Sequence, residues 1–148
     1  ISDTHGRLPD NEILWEAFDN CDYIFHLGDG AREIDKLNAA YPNKLRYVYG
    51  NADGRNDIQE CVVEIEGVKF FLTHGHNYKV KSSDLDLHMK GLQIGADCCL
   101  HGHVHSPSIN DYADLKIIDP GSLTYAKTYC YMSVVDKKIL AKIVNLRT

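Results

Sequence analysis

Apolar and polar positions alternate along this chain in two periods. Ile13, Leu14, Ala17 and Phe18 share one helical face with Trp15 at its edge, the spacing of an amphipathic helix that buries one stripe. Asp22 to Leu27 is a compact apolar run that reads as a buried strand, and it ends at Gly28-Asp29-Gly30, where a second helix begins and continues to about Ala40. Lys44 to Tyr49 forms a third apolar run, which ends in the polar turn Gly50-Asn51-Ala52-Asp53-Gly54. Each run therefore empties into a glycine-bearing turn that carries a potential ligand. Open α/β sheets place their sites at such carboxyl ends of strands.

The second half changes character. Cys61 to Glu66 and Val68 to Leu72 flank Gly67 as a hairpin, whose second strand leads into Thr73-His74-Gly75-His76. Ser83 caps a helix running through Ile94, with Leu85, Met89 and Leu92 facing inward. Asp97 to Leu100 leads to His101-Gly102-His103-Val104-His105. On a strand end, residues two apart share a face, so His103 and His105 are expected to point into one site. Leu115 to Ile118 ends in the turn Asp119-Pro120-Gly121-Ser122, and Tyr129 to Val135 with Ile139 to Val144 form a closing hairpin. Strands that alternate with helices and then turn antiparallel predict mixed sheets covered by helices.

Length and composition narrow the class. The 148 residues suit a single domain, residues 1–148, with 44% apolar and 25% charged residues, values of a globular protein. No apolar run approaches the roughly 18 residues of a membrane-spanning helix. A net charge of -5 argues against a chain-wide basic face for nucleic acid, so any phosphate must be held locally. Cys21, Cys61, Cys98, Cys99 and Cys130 are odd in number and lack CxxC spacing, which fits buried thiols in a reducing, cytoplasmic setting. Ile1, before the polar turn Ser2-Asp3-Thr4-His5-Gly6, reads as the end of a first strand largely missing from the N-terminus.

Collected, the groups at these chain turns are Asp3, His5, Asp29, Asn51, His74, His103 and His105. Oxygen and imidazole donors without cysteine suit manganese first, with iron, zinc or nickel as alternatives, better than they suit a structural zinc site. Seven donors exceed the needs of one ion and suffice for two if one carboxylate bridges. Two ions about 3.5–4 Å apart can clamp both sides of an in-line displacement at phosphorus. Two divalent ions outweigh Asp3, Asp29 and a bridging hydroxide, which leaves the site attractive to an anionic ester. His26 reads as a buried, hydrogen-bonded group behind the ligands. His76 competes with His74, Asp53 either orients a ligand or water or simply serves its turn, and His88 belongs on a solvated helix face.

Asp3-Thr4-His5, Gly28-Asp29, Gly50-Asn51, His74 and Gly102-His103-Val104-His105 occur in an order and spacing that resemble the calcineurin-like metallophosphoesterases. The small stand-alone YfcE-like phosphodiesterases are the most similar branch. The resemblance implies a four-layer α/β sandwich of two mixed sheets flanked by helices, with a dinuclear site. It would place Asp3, His5, Asp29 and His105 on one divalent ion and Asp29, Asn51, His74 and His103 on the other, with Asp29 as the bridge. The implied reaction is hydrolysis of a phosphate ester, a phosphodiester before a monoester, by attack of a metal-bound hydroxide. Asp29, Asn51 and His74 are then the catalytic set. His76 would contact phosphate or an outer shell. Many relatives carry a His directly after Gly-Asn, where this chain has Ala52, so substrates with acidic leaving groups are expected.

The remaining features allow quieter readings. Arg7, Arg32 and Arg55 can reach a phosphate, though surface charge is the simpler role. Tyr125, Tyr129 and Tyr131 can stack on a base, mediate a homo-oligomer or simply pack. A protein-binding scaffold that has kept the fold, like a retromer subunit resembling the family, is the alternative to a small-molecule phosphodiesterase or nucleotide hydrolase.

Overall fold

The computed structural model describes residues 1–147. Helix α1 (Glu12–Asn20) precedes strand β1 (Ile24–His26), followed by helix α2 (Ala31–Ala40) and strand β2 (Leu45–Tyr47). A hairpin of β3 (Glu60–Ile65) and β4 (Val68–Thr73) comes next, then helix α3 (Leu85–Ile94) and strands β5 (Cys98–Leu100), β6 (Ser108–Asp111) and β7 (Lys116–Asp119). The closing hairpin is β8 (Thr128–Val135) and β9 (Lys138–Asn145). Of these elements, only β6 is not legible in the hydrophobic pattern. It pairs antiparallel with β7 at the edge of its sheet, where alternately half-buried and exposed residues give no apolar run.

Three apolar layers stack these elements. Leu14 and Phe18 of α1, Ile34 and Leu37 of α2, and Ile24, Leu45 and Tyr129 form the first, between two helices and the β1–β2 and β8–β9 pairs. Phe70, Leu72, Cys98, Leu100 and Ile118 pack against Leu27, Val48, Cys130 and Met132 in the second, between sheets. Phe71, Cys99 and Ile117 meet Leu87 of α3 in the third. Adjacent residues Phe70 and Phe71 thus serve opposite faces of one strand, and each buried ring contributes about 1.5–3 kcal/mol. The result is the helix, sheet, sheet, helix order expected of a four-layer sandwich. One sheet is a continuous five-stranded array in the order β3-β4-β5-β7-β6, while the other side consists of two two-stranded pairs. Ile1 lies along β1, its amino group donating to Phe25 O and its carbonyl accepting from Leu27 N–H.

Two helices seat differently from their sequence patterns. Ile13 is exposed, because the nine-residue α1 packs through the single stripe Leu14 and Phe18. In α3 the buried stripe is Leu87 and Gly91, and Leu85, Met89 and Leu92 face outward. Gly91 decides this orientation: a Cβ there would lie 2.7 Å from Cys99 Sγ and 2.8 Å from Leu115 Cδ2, so the bare backbone is what lets α3 approach the sheet. The helix starts after Asp84 rather than Ser83, although Ser83 Oγ accepts from Leu85 N–H.

The sheets position the site. At the centre of the large sheet β4, β5 and β7 run parallel, with Leu72, Leu100 and Ile118 in register. Their carboxyl ends release His74, the segment from His101 to His105, and Asp119 on one side. β1 and β2 also run parallel, with His26 opposite Tyr47, and release Gly28-Asp29 and Gly50-Asn51 together.

Candidate metal centre

Two triads of potential ligands converge at these strand ends. Asp3, His5 and His105 bring one donor atom each within 4.8 Å of one another, and so do Asp29, His74 and His103. Asp29 Oδ2 lies 3.2 Å from His74 Nε2 and 4.0 Å from His5 Nε2, so its carboxylate faces the other triad as well as its own. Asp3 Oδ1 lies 3.1 Å from His105 Nε2, 3.6 Å from His5 Nε2 and 3.8 Å from His74 Nε2. Asn51 is exposed in the turn whose neighbours touch Asp29: Ala52 N–H donates to Asp29 Oδ1, and a Cβ on Gly50 would run into the same carboxylate.

The backbone that presents these groups is unusual. Asp3, His5, Asp29, His103 and His105 all have positive φ, between 47° and 73°. Asp and His tolerate this left-handed region better than most residues, and its local cost is borne where surrounding contacts fix the chain. It also corrects the strand-alternation expectation. β5 stops at Leu100, and the left-handed turns send His103 toward Asp29 and His74 but His105 toward Asp3 and His5. His74 and His76 likewise do not share a strand. Gly75, at φ 109°, turns the chain into a 3₁₀ turn over His76–Tyr78, and the His76 ring ends 5.6 Å from His74 and 6.2 Å from His103.

Hydrogen bonds orient each donor. Leu27 O fixes the Nδ1–H of His74 at 2.7 Å, which leaves Nε2 as the free lone pair. Asp3 Oδ2 accepts from Ser2 Oγ and from His103 N–H, leaving Oδ1 open. Asp3 Oδ1 and His74 Nε2 are buried without a hydrogen-bond partner. Such orphaned buried acceptors are costly unless something else satisfies them, and carboxylate and imidazole donors pointing at one space fit divalent cations. Burial opposes ionisation of Asp29, but His74 and the Ala52 N–H outweigh it and hold the carboxyl at about 2. His74 is shifted the other way: burial disfavours its cation, yet Asp29 and Asp3 raise its pKa. Burial, then repulsion from His74 and Lys81, lowers His103 to about 4, keeping it neutral and able to ligate.

Behind the donors runs a buried relay that no motif announced. Gly28 N–H donates to His26 Nδ1, which leaves the proton on Nε2 facing Thr4 Oγ1 at 3.0 Å. Thr4 Oγ1 in turn donates to Glu33 Oε1 on α2, which also accepts from Gly6 N–H. His26 is therefore buried and hydrogen-bonded, and its pKa is far below the ordinary imidazole value because burial penalises the cation. Asp53 accepts from the backbone N–H groups of Asp29, Gly30, Ala31 and Gly50. It caps α2 from a distance and ties the Asp29 turn to the Gly50 turn. Only geometry finds Thr4 and Glu33. The sequence offers no spacing signal for either.

The flanking residues divide. Arg55 is bidentate to exposed Asp35, whereas Arg32 lines an open cavity of about 350 Å³ with His5, Asp29 and Ala52. His101 is buried, its Nδ1–H bonded to Gly102 O and 3.7 Å from Asp119 Oδ2. His88 is half-buried rather than solvated, stacked on Tyr112 at 4.7 Å and 3.3 Å from Asp114. The turn after β7 closes the site wall: Ser122 Oγ donates to Asp3 O. The five cysteines are all free thiols.

A helix, sheet, sheet, helix stack with carboxylates and imidazoles gathered at its strand ends is the phosphoesterase fold. The chain belongs to the calcineurin-like phosphoesterase superfamily, whose domain model matches residues 1–137. It is 32% identical to a probable metallophosphoesterase of Methanocaldococcus jannaschii over 93% of this chain and 75% of that protein. A phosphodiesterase of the same organism is 33% identical, covering 82% of this chain and 80% of its own length. Among solved structures, a conserved uncharacterized protein of Streptococcus pneumoniae superposes with a TM-score of 0.80 at 26% identity, over 98% of this chain and 86% of that one. Vacuolar Protein Sorting 29 from Cryptosporidium parvum shares the fold, with a TM-score of 0.78 at 18% identity over 97% and 94% of the two chains.

Proposed function

We propose that this protein is a dinuclear-metal phosphodiesterase acting on small phosphate esters. The observation that carries this reading is the Asp29 carboxylate, 3.2 Å from His74 of its own triad and 4.0 Å from His5 of the other. In it, Asp3, His5, Asp29 and His105 would hold one ion and Asp29, Asn51, His74 and His103 the other, with Asp29 shared between the two sets. Two bound divalent cations supply water of lowered pKa and charge neutralisation for the phosphate. Manganese is the first choice, and iron, zinc and nickel suit the same donors.

The chain's own groups prepare the ligands and the opening. Leu27 O sets the His74 tautomer, Ser2 and the His103 N–H hold Asp3, and the cavity beside His5, Asp29 and Ala52 gives the ester room. Ala52 offers no proton to a leaving oxygen, which favours esters of acidic alcohols. The likeness to a phosphodiesterase at 33% identity supports a diester substrate. Five free thiols support a reducing, cytoplasmic setting. No helix among the described residues is long and apolar enough to cross a membrane.

A protein-binding scaffold is the second reading, favoured by the fold shared with Vacuolar Protein Sorting 29 and by the exposed Leu85, Met89 and Leu92 face of α3. Hydrolysis of a bis-aryl phosphate by manganese-loaded protein separates the two. The enzymatic reading expects wild type to exceed Asp29→Ala and His103→Ala by at least on the order of 10²-fold, the upper range for disturbing even outer ligand partners. A wild type no faster than these variants removes it.

A further inference from the structure

We infer that Tyr125 is a stacking platform for an aromatic ring carried by the phosphate ester, so the substrate class is an aryl or nucleoside ester rather than a purely aliphatic one. The proposal rests on the phosphodiesterase reading of the adjacent site. Tyr125 is 62% exposed and stands outside the core. Its ring nevertheless sits 5.3 Å from the His5 ring and 5.2 Å from the His105 ring, at the margin of the Asp3 triad.

Its backbone is pinned to the turn that supplies that triad. Leu123 N–H donates to Ser2 O, Ser122 Oγ to Asp3 O and Thr124 Oγ1 to Thr4 O, while Tyr125 N–H donates to Ser122 Oγ. An exposed aromatic on a tightly held segment loses little entropy when a ring is laid on it. Every nucleobase and aryl group offers a π face, so stacking asks for a ring and tolerates its identity. The two imidazoles edge the same patch, which places the platform within one ester's length of the ions' expected positions.

The test is equilibrium binding of thymidine 5′-phosphate and of methyl phosphate to manganese-loaded protein by titration calorimetry, in wild type, Tyr125→Phe and Tyr125→Ala. Tyr125→Ala should weaken thymidine 5′-phosphate by about 5- to 100-fold, the size of one base–aromatic contact, while Tyr125→Phe stays within about twofold and methyl phosphate is unchanged throughout. Equal affinity of wild type and Tyr125→Ala for thymidine 5′-phosphate overturns the proposal. Parallel loss of both ligands also overturns it, because it assigns Tyr125 to supporting His5 and His105 instead. The proposed activity fails separately: protein that shows the stacking selectivity but does not hydrolyse a bis-aryl phosphate keeps Tyr125 as a ring-binding residue and loses the enzymatic reading.

Discussion

His26 Nε2 lies 3.0 Å from Thr4 Oγ1, a buried side-chain link beside the backbone bonds from Asp3 N–H to Gly28 O and from His5 N–H to Asp29 O that tie the two turns together. Thr4 sits between two candidate ligands, and its hydroxyl donates a hydrogen bond to Glu33 of α2 at 2.6 Å. Thr4→Val keeps the shape and removes both bonds, leaving a buried imidazole N–H and a buried carboxylate each short of a partner. Urea unfolding should show a loss of about 2–4 kcal/mol, since each unmet buried group costs about 1–3 kcal/mol. Manganese affinity should drop about 10–100-fold, and Thr4→Ser should restore both.

Asp119 supplies a pH signature. Burial lifts its carboxyl to about 7, with the Gly121 N–H pulling only partly the other way. The unfolded carboxyl titrates near 3.9. Between the two values the folded chain holds a proton that the unfolded chain has released, so stability falls as pH rises from about 4 to about 7 and the cost is complete above that. Asp119→Asn keeps Oδ1 for the Gly121 N–H and cannot ionise. In chelator-treated protein its stability relative to wild type should improve from about pH 5 to about pH 8 by about 2–4 kcal/mol, read from urea midpoints at each pH. An unchanging difference would show that Asp119 stays ionised.

Ala52 should be legible in kinetics. Its backbone N–H donates to Asp29 Oδ1, and its exposed methyl borders the cavity beside His5. With no side-chain acid, kcat/KM for a series of substituted phenyl diesters should fall steeply as the leaving phenol becomes less acidic. Ala52→His should flatten that dependence and accelerate the poorest leaving group by on the order of 10²-fold, the lower range for a placed general acid. An equal gain across the series would indicate better binding rather than proton donation.

Much of the fold is legible in the chain's own pattern. Strand ends were visible because each buried apolar run is bounded by a polar glycine turn, and Asp29, Asn51, His74 and His103 all fall just past such runs. Helix orientation was less readable. In α3 two stripes compete, and the sequence favours Leu85, Met89 and Leu92 because leucine and methionine outweigh a glycine in any hydrophobic count. The fold buries Leu87 and Gly91 because close approach to Cys99 and Leu115 requires the missing side chain.

The sequence by itself determined the candidate donors, their order along the chain and the alternation of strands and helices that brings turns to one side. These are local properties: residue chemistry, period and punctuation. Only the tertiary structure decided how the donors group. His103 and His105 are two residues apart yet part company, because left-handed backbone at both turns their rings to different triads. The His103 N–H donates to Asp3 Oδ2 across a separation of 100 residues. That contact joins the end of β5 to the turn beside β1, and the relay from His26 through Thr4 to Glu33 joins residues 22 and 29 positions apart, relations that no spacing within a single segment encodes.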